Sequence, residues 1–151
     1  MKTLAVGAQA PDFELPDQDG RPVRLSEQLQ DGPVVLFFYP IAMTAGCTKE
    51  ACHFRDLAVE FKELDAQRLG ISTDPVAKQL EFSERHAFDY PLLSDESGEV
   101  AVAFGVRRRL ITPVKRATFV IDTDRTVLEV IASELNMDVH ADAALAALRS
   151  R

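Results

Sequence analysis

Phe13 and Leu15 alternate with polar neighbours, Asp19-Gly20 supplies a turn, and Val23 and Leu25 resume the alternation, which predicts a hairpin over residues 12–25. The rhythm then changes. Val34, Val35, Leu36, Phe37, Phe38 and Tyr39 form an unbroken apolar run rich in β-formers, as expected of a strand covered on both faces, and Pro40 ends it. Phe54, Leu57, Ala58, Phe61 and Leu64 recur at three- and four-residue steps and predict one helix whose front carries residues 47–52. Leu69, Gly70, Ile71 and Ser72 suggest a short buried strand, and Asp74-Pro75 opens a second helix reaching about His86. A short helix over 99–104 ends at Gly105, a plausible C-cap. Thr118–Ile121 and Thr126–Ile131 flank the polar turn Asp122-Thr123-Asp124-Arg125 as a second hairpin, and Ala141, Ala144, Leu145 and Leu148 mark a last helix.

The order hairpin, strand, helix, strand, helix, hairpin, helix predicts an α/β chain with a mixed central sheet flanked by helices. No repeat, linker or low-complexity stretch interrupts it, and 151 residues, 46% of them hydrophobic, suit one domain spanning 1–151 that buries a core without cross-links. Seventeen Lys and Arg against 24 Asp and Glu leave a net charge of −7, which argues against broad nucleic-acid binding through phosphate neutralisation. Arg107, Arg108 and Arg109, with Lys115 and Arg116, form a local basic exception, most simply read as solvated loop charges. The longest apolar run is too short to cross a bilayer, so a soluble, cytoplasmic protein without membrane contact is expected.

Only two cysteines occur, Cys47 and Cys52, at the front of the first long helix. On a regular helix, positions five apart lie roughly 8 to 9 Å apart between Cα atoms. A disulfide rarely spans more than about 7 Å, so a bond between them requires the first turn to unwind. The pair therefore reads as a redox switch. A structural staple is the plainer alternative, but so short a loop constrains the unfolded chain little, and a reducing cytosol would hold it open. A thiol reacts as its thiolate, and Cys47 follows Gly46 at the helix mouth, where free N–H groups and the macrodipole favour negative charge. Arg116 can add to this if the fold brings it across. Thr44 can aim its hydroxyl at the same pocket or act as an N-cap, and Pro40 can shield the thiol or merely end the strand. His53, His86 and His140 are isolated in sequence and are assigned no catalytic part.

Pro40-Ile41-Ala42-Met43-Thr44-Ala45-Gly46-Cys47 resembles the Pro-x-x-x-Thr-x-x-Cys signature of the peroxiredoxins. Cys47-Thr48-Lys49-Glu50-Ala51-Cys52, followed by Phe54-Arg55-Asp56, is similar to the bacterioferritin-comigratory or Q-type branch, and matching segments run from Ala10-Pro11-Asp12-Phe13 to Thr118-Phe119-Val120-Ile121-Asp122. The resemblance implies a thioredoxin-like fold with an N-terminal hairpin extension. It also implies a thiol-dependent peroxidase for hydrogen peroxide and organic hydroperoxides that needs no prosthetic group. Cys47 matches the peroxidatic cysteine, Thr44 the residue that hydrogen-bonds thiolate and peroxide, Pro40 the pocket cover, and Arg116 the stabilising arginine. Glu50 resembles the acid that orients that arginine. Cys52 matches the resolving cysteine, whose disulfide with Cys47 a thioredoxin-like partner reduces. The branch is commonly monomeric or weakly dimeric.

Ile41-Ala42-Met43 departs from the branch, which more often places charged or polar residues there, and this suggests an apolar rim and a tilt towards organic hydroperoxides. Three other readings compete, one of them a non-catalytic thioredoxin-fold scaffold. A thioredoxin-type oxidoreductase wants Cys-x-x-Cys rather than four intervening residues. A metal site would crowd Cys47, Cys52 and His53 onto seven residues, a poor fit to tetrahedral zinc.

Overall fold

The computed structural model describes residues 2–151. At its centre is β3 (Val34–Phe38), in a five-stranded sheet with β4 (Gln67–Ser72), β5 (Leu92–Ser94), β6 (Ala117–Ile121) and β7 (Val127–Ala132), ordered β5-β4-β3-β6-β7. β3 runs parallel to β4 and antiparallel to β6, so the expected mixed sheet is present. The short strands β1 (Glu14–Pro16) and β2 (Pro22–Arg24) form the N-terminal hairpin as a separate two-stranded sheet.

Strand alternation explains why the run from Val34 has no polar break. Val34, Leu36 and Phe38 enter one apolar layer, and Val35, Phe37 and Tyr39 enter the other. The first layer is closed by the hairpin, by α1 (Leu25–Gln28) and by α5 (Glu99–Ala103), with Phe13, Phe38, Phe104 and Phe119 packed edge to face or tilted. The second is closed by α2 (Ala45–Asp56), α3 (Ala58–Glu63), α4 (Val76–His86) and α6 (Asp138–Arg149). Each fully buried Phe or Leu contributes about 1.5 to 3 kcal/mol. Gly105 has φ +72°, and a Cβ there would lie 2.0 Å from the Lys2 carbonyl oxygen, so the expected C-cap glycine is also required by close backbone approach.

Three features differ from the sequence reading. The helix expected to run on through Phe54–Leu64 is two helices, parted where Leu57 leaves helical geometry at ψ 21°, although hydrogen bonds from Leu57 to His53 and from Phe61 to Leu57 keep them in line. No glycine or proline marks that break. Strand β5 was not foreseen, since three residues are too short for a period to register. Nor was α1, a single turn whose start is held by Asp12, which accepts from the Ser26 N–H and hydroxyl. Among the described residues no helix is long and apolar enough to cross a membrane.

Candidate active site

Ladder pairing at the end of β3 finishes with the Tyr39 N–H donating to the Ile71 carbonyl, and Pro40, buried and without an N–H, stops it there. The loop that follows is fastened to the neighbouring strand. The Ala42 N–H donates to Asp74 Oδ2 at 2.8 Å, and that same oxygen accepts the Ser72 hydroxyl. Met43 takes φ +66°, an uncommon choice that an unbranched side chain tolerates better than a β-branched one. Ile41 and Met43 face outward in part, whereas Ala42 is buried, so the apolar rim is two residues rather than three.

Thr44 holds the N-cap position in extended backbone, but its side chain caps nothing: the hydroxyl donates to the Ile41 carbonyl at 2.9 Å. The first N–H groups of α2 are thus without a side-chain acceptor, and Cys47 is the third residue of the helix. Gly46 lets a cation close in, since a Cβ there would stand 3.3 Å from Arg116 Nη2.

Arg116, at the head of β6, is the cation. Its Nη2 donates to Cys47 Sγ at 3.4 Å and its Nη1 to Glu50 Oε1 at 2.7 Å, while its own N–H donates to Glu134. Glu50 lies three residues beyond Cys47 on the same helix, where i and i+3 share a face. Only 6% of Arg116 and none of Glu50 is exposed. Burial pushes the Glu50 carboxyl up to about 8 even though the guanidinium pulls the other way. For Arg116, burial draws the pKa down, but Glu50 and Cys47 outweigh it and the net shift is upward. Cys47 is 1% exposed, although its chain neighbour Gly46 is half-buried and Ala45 is exposed.

Cys52 is half-buried; it and the buried Cys47 are both free thiols, and both lie in one unbroken helix. Burial raises the Cys52 thiol. Behind the pair, the Tyr90 hydroxyl donates to the Ala51 carbonyl at 2.7 Å and Arg68 Nη1 to the Phe54 carbonyl at 2.9 Å. Neither residue could be linked to the site from sequence.

The histidines correct the sequence reading. His140 is not isolated: it is fully buried, 2.8 Å from Thr118 Oγ1 and 3.5 Å from Glu50 Oε2. His53 pairs at the surface with Asp142, joining α2 to α6.

Residues 6–130 match the family model described as AhpC/TSA. A Mycobacterium tuberculosis protein named as a peroxiredoxin is 67% identical over 150 residues, 97% of each chain. The crystal structure of the peroxidoxin BcpB from that organism superposes with a TM-score of 0.93 at 68% identity, covering 96% of both chains. A bacterioferritin comigratory protein of Xanthomonas campestris, studied for its alkyl peroxide reduction activity, superposes at 0.84 with 30% identity over 91% of this chain and 90% of its own. Sequence and fold agree on one lineage: the chain belongs to the AhpC/TSA family, in its peroxiredoxin Q and bacterioferritin-comigratory branch.

Proposed function

We propose that Cys47 is the sulfur through which this thiol-dependent peroxidase reduces its substrate. The observation that carries the reading is the Arg116 guanidinium 3.4 Å from Sγ at the open end of a helix, two sources of positive potential on one atom. The thiolate attacks one peroxide oxygen, an S–O bond forms as the O–O bond breaks, and the leaving oxygen takes up a proton to depart as water or alcohol. Arg116 stabilises charge developing on the peroxide. Thr44 turns its hydroxyl from the Ile41 carbonyl to the bound peroxide, and Pro40 keeps water from the thiol.

Cys52 then condenses with the sulfenic acid, releasing water and leaving a Cys47–Cys52 disulfide, which a thioredoxin-like dithiol reduces. Prompt closure protects the sulfenic acid from further oxidation. The chain acts as a single domain over 1–151, as a monomer or weak homodimer, in the reducing cytoplasm. The half-exposed Ile41 and Met43 favour organic hydroperoxides over hydrogen peroxide, in line with the alkyl peroxide activity of the X. campestris relative. Comparing second-order rate constants for the two substrates tests that preference. Mass spectrometry of peptides spanning 45–55 after one equivalent of peroxide tests the cycle. The expected result is loss of two hydrogens in the wild type and a sulfenic or higher acid in Cys52→Ser; an unmodified Cys47 would overturn it.

A further inference from the structure

Glu50 and His140 are both wholly buried, and neither is spent on packing alone. Glu50 gives Oε1 to Arg116, but its Oε2 has no hydrogen-bond partner. Facing that orphan oxygen, at 3.5 Å, is His140 Nδ1. The other ring nitrogen is committed: Nε2 lies 2.8 Å from the Ser133 carbonyl, which can only accept, so Nε2 carries a hydrogen. In the neutral imidazole Nδ1 is then an acceptor with one lone pair, for which the Thr118 hydroxyl at 2.8 Å and a proton on Glu50 Oε2 at 3.5 Å compete.

We propose that His140 is a positioning residue for the thiol site: with the otherwise unpartnered Oε2 of Glu50 it holds the one proton that decides how much Arg116 charge is left for Cys47. With the proton on the pair, Glu50 is a neutral acid, hydrogen-bonded through Oε2, and the guanidinium acts on the sulfur undiminished. Without the proton, Glu50 is a carboxylate that compensates Arg116 and repels a thiolate. Burial raises Glu50 and lowers His140, so near neutrality the proton belongs to the carboxyl and the ring is neutral. The charged and titratable groups acting on the pair are Arg116 at the head of β6, Glu134 from the segment after β7 and Tyr90 from the segment before β5, with Cys47 of α2 joined to it through Arg116. His53 and Asp142 bridge the same two helices but satisfy each other at the surface.

The inference rests on the reading of Cys47 as the reacting sulfur, yet its test needs no peroxide. The ultraviolet absorbance of the Cys47 thiolate is titrated with pH in Cys52→Ser, alone and with His140→Asn, Glu50→Gln or both. His140→Asn removes the Nδ1 that faces Glu50 Oε2, so the neutral acid is less favoured, and the thiolate midpoint is expected to move up by roughly one pH unit, the scale that local environment imposes on such groups. In Glu50→Gln the same change is expected to move it by a small fraction of that, because no carboxyl remains to ionise. Equal shifts in both backgrounds, or none in either, would overturn the proposal. Should His140→Asn not fold, the ring resonances of His140 in Glu50→Gln and in the wild type decide it: unchanged titration would overturn the coupling. Peroxide consumption by the wild type, lost in Cys47→Ser, tests the underlying reading separately.

Discussion

The two layers of the sheet are built from the same strands yet hold different contents. On one side lie Phe13, Leu36, Phe38, Phe104 and Phe119 with scarcely a polar atom; Asp95 is the exception, and it accepts the first N–H groups of α5. On the other, the apolar residues surround Tyr39, Cys47, Glu50, Arg68, Gln79, Arg116, Thr118 and His140, tied together by hydrogen bonds. A polar network in a low-dielectric layer strengthens every interaction it satisfies and penalises each one it leaves open. Glu50 Oε2, Arg116 Nε and Ser94 Oγ are open. The dry layer holds the fold together, and the wet one keeps charge under tension beside a thiol.

The contrast predicts a separation of stability from activity. Cys47→Ser should abolish peroxide consumption while leaving the melting temperature near that of the wild type; retained turnover would break the division at its most exposed point. Phe104→Ala, which strips three aromatic contacts from the dry layer, should cost about 3 to 5 kcal/mol in denaturant unfolding with turnover per folded molecule unchanged. Arg116→Met should lower the second-order rate with peroxide by about 10² to 10³, the loss typical of removing one preorganised donor.

The last effect concerns pH. Glu50 has a folded-state pKa raised to about 8 from an ordinary 4.5, so the stability this gives is complete below 4.5 and is lost as pH rises through about 8. The wild type should therefore lose stability between pH 5 and 8 more steeply than Glu50→Gln. Parallel profiles would show that the buried carboxyl is not the source.

Legibility followed the same division. The dry layer and the central strand were visible because each side chain acts through its own apolarity, and strand alternation is enough to sort Val34 from Val35. Cys47 was legible as one of two cysteines at the mouth of a helix, but the parts played by Arg116 and Glu50 were legible only through a known signature; position alone gave no reason to bring Arg116 across 69 residues to a sulfur. His140 carried no signal, since a histidine among alanines on a helix looks the same whether it faces solvent or a buried acid. Tyr90 and Arg68 were hidden for a related reason: they act on backbone carbonyls of α2, and a carbonyl group is common to every residue.

Those two attachments have a mechanical consequence. A rope moored at its far end can be paid out only from the near one. With the Ala51 and Phe54 carbonyls held by Tyr90 and Arg68, the slack for joining the two sulfurs in the proposed cycle would come from the turn that holds Cys47, so the oxidised atom would be the one to travel, leaving its arginine behind. A reductant of the proposed disulfide would then meet a freed loop on a platform still anchored behind it.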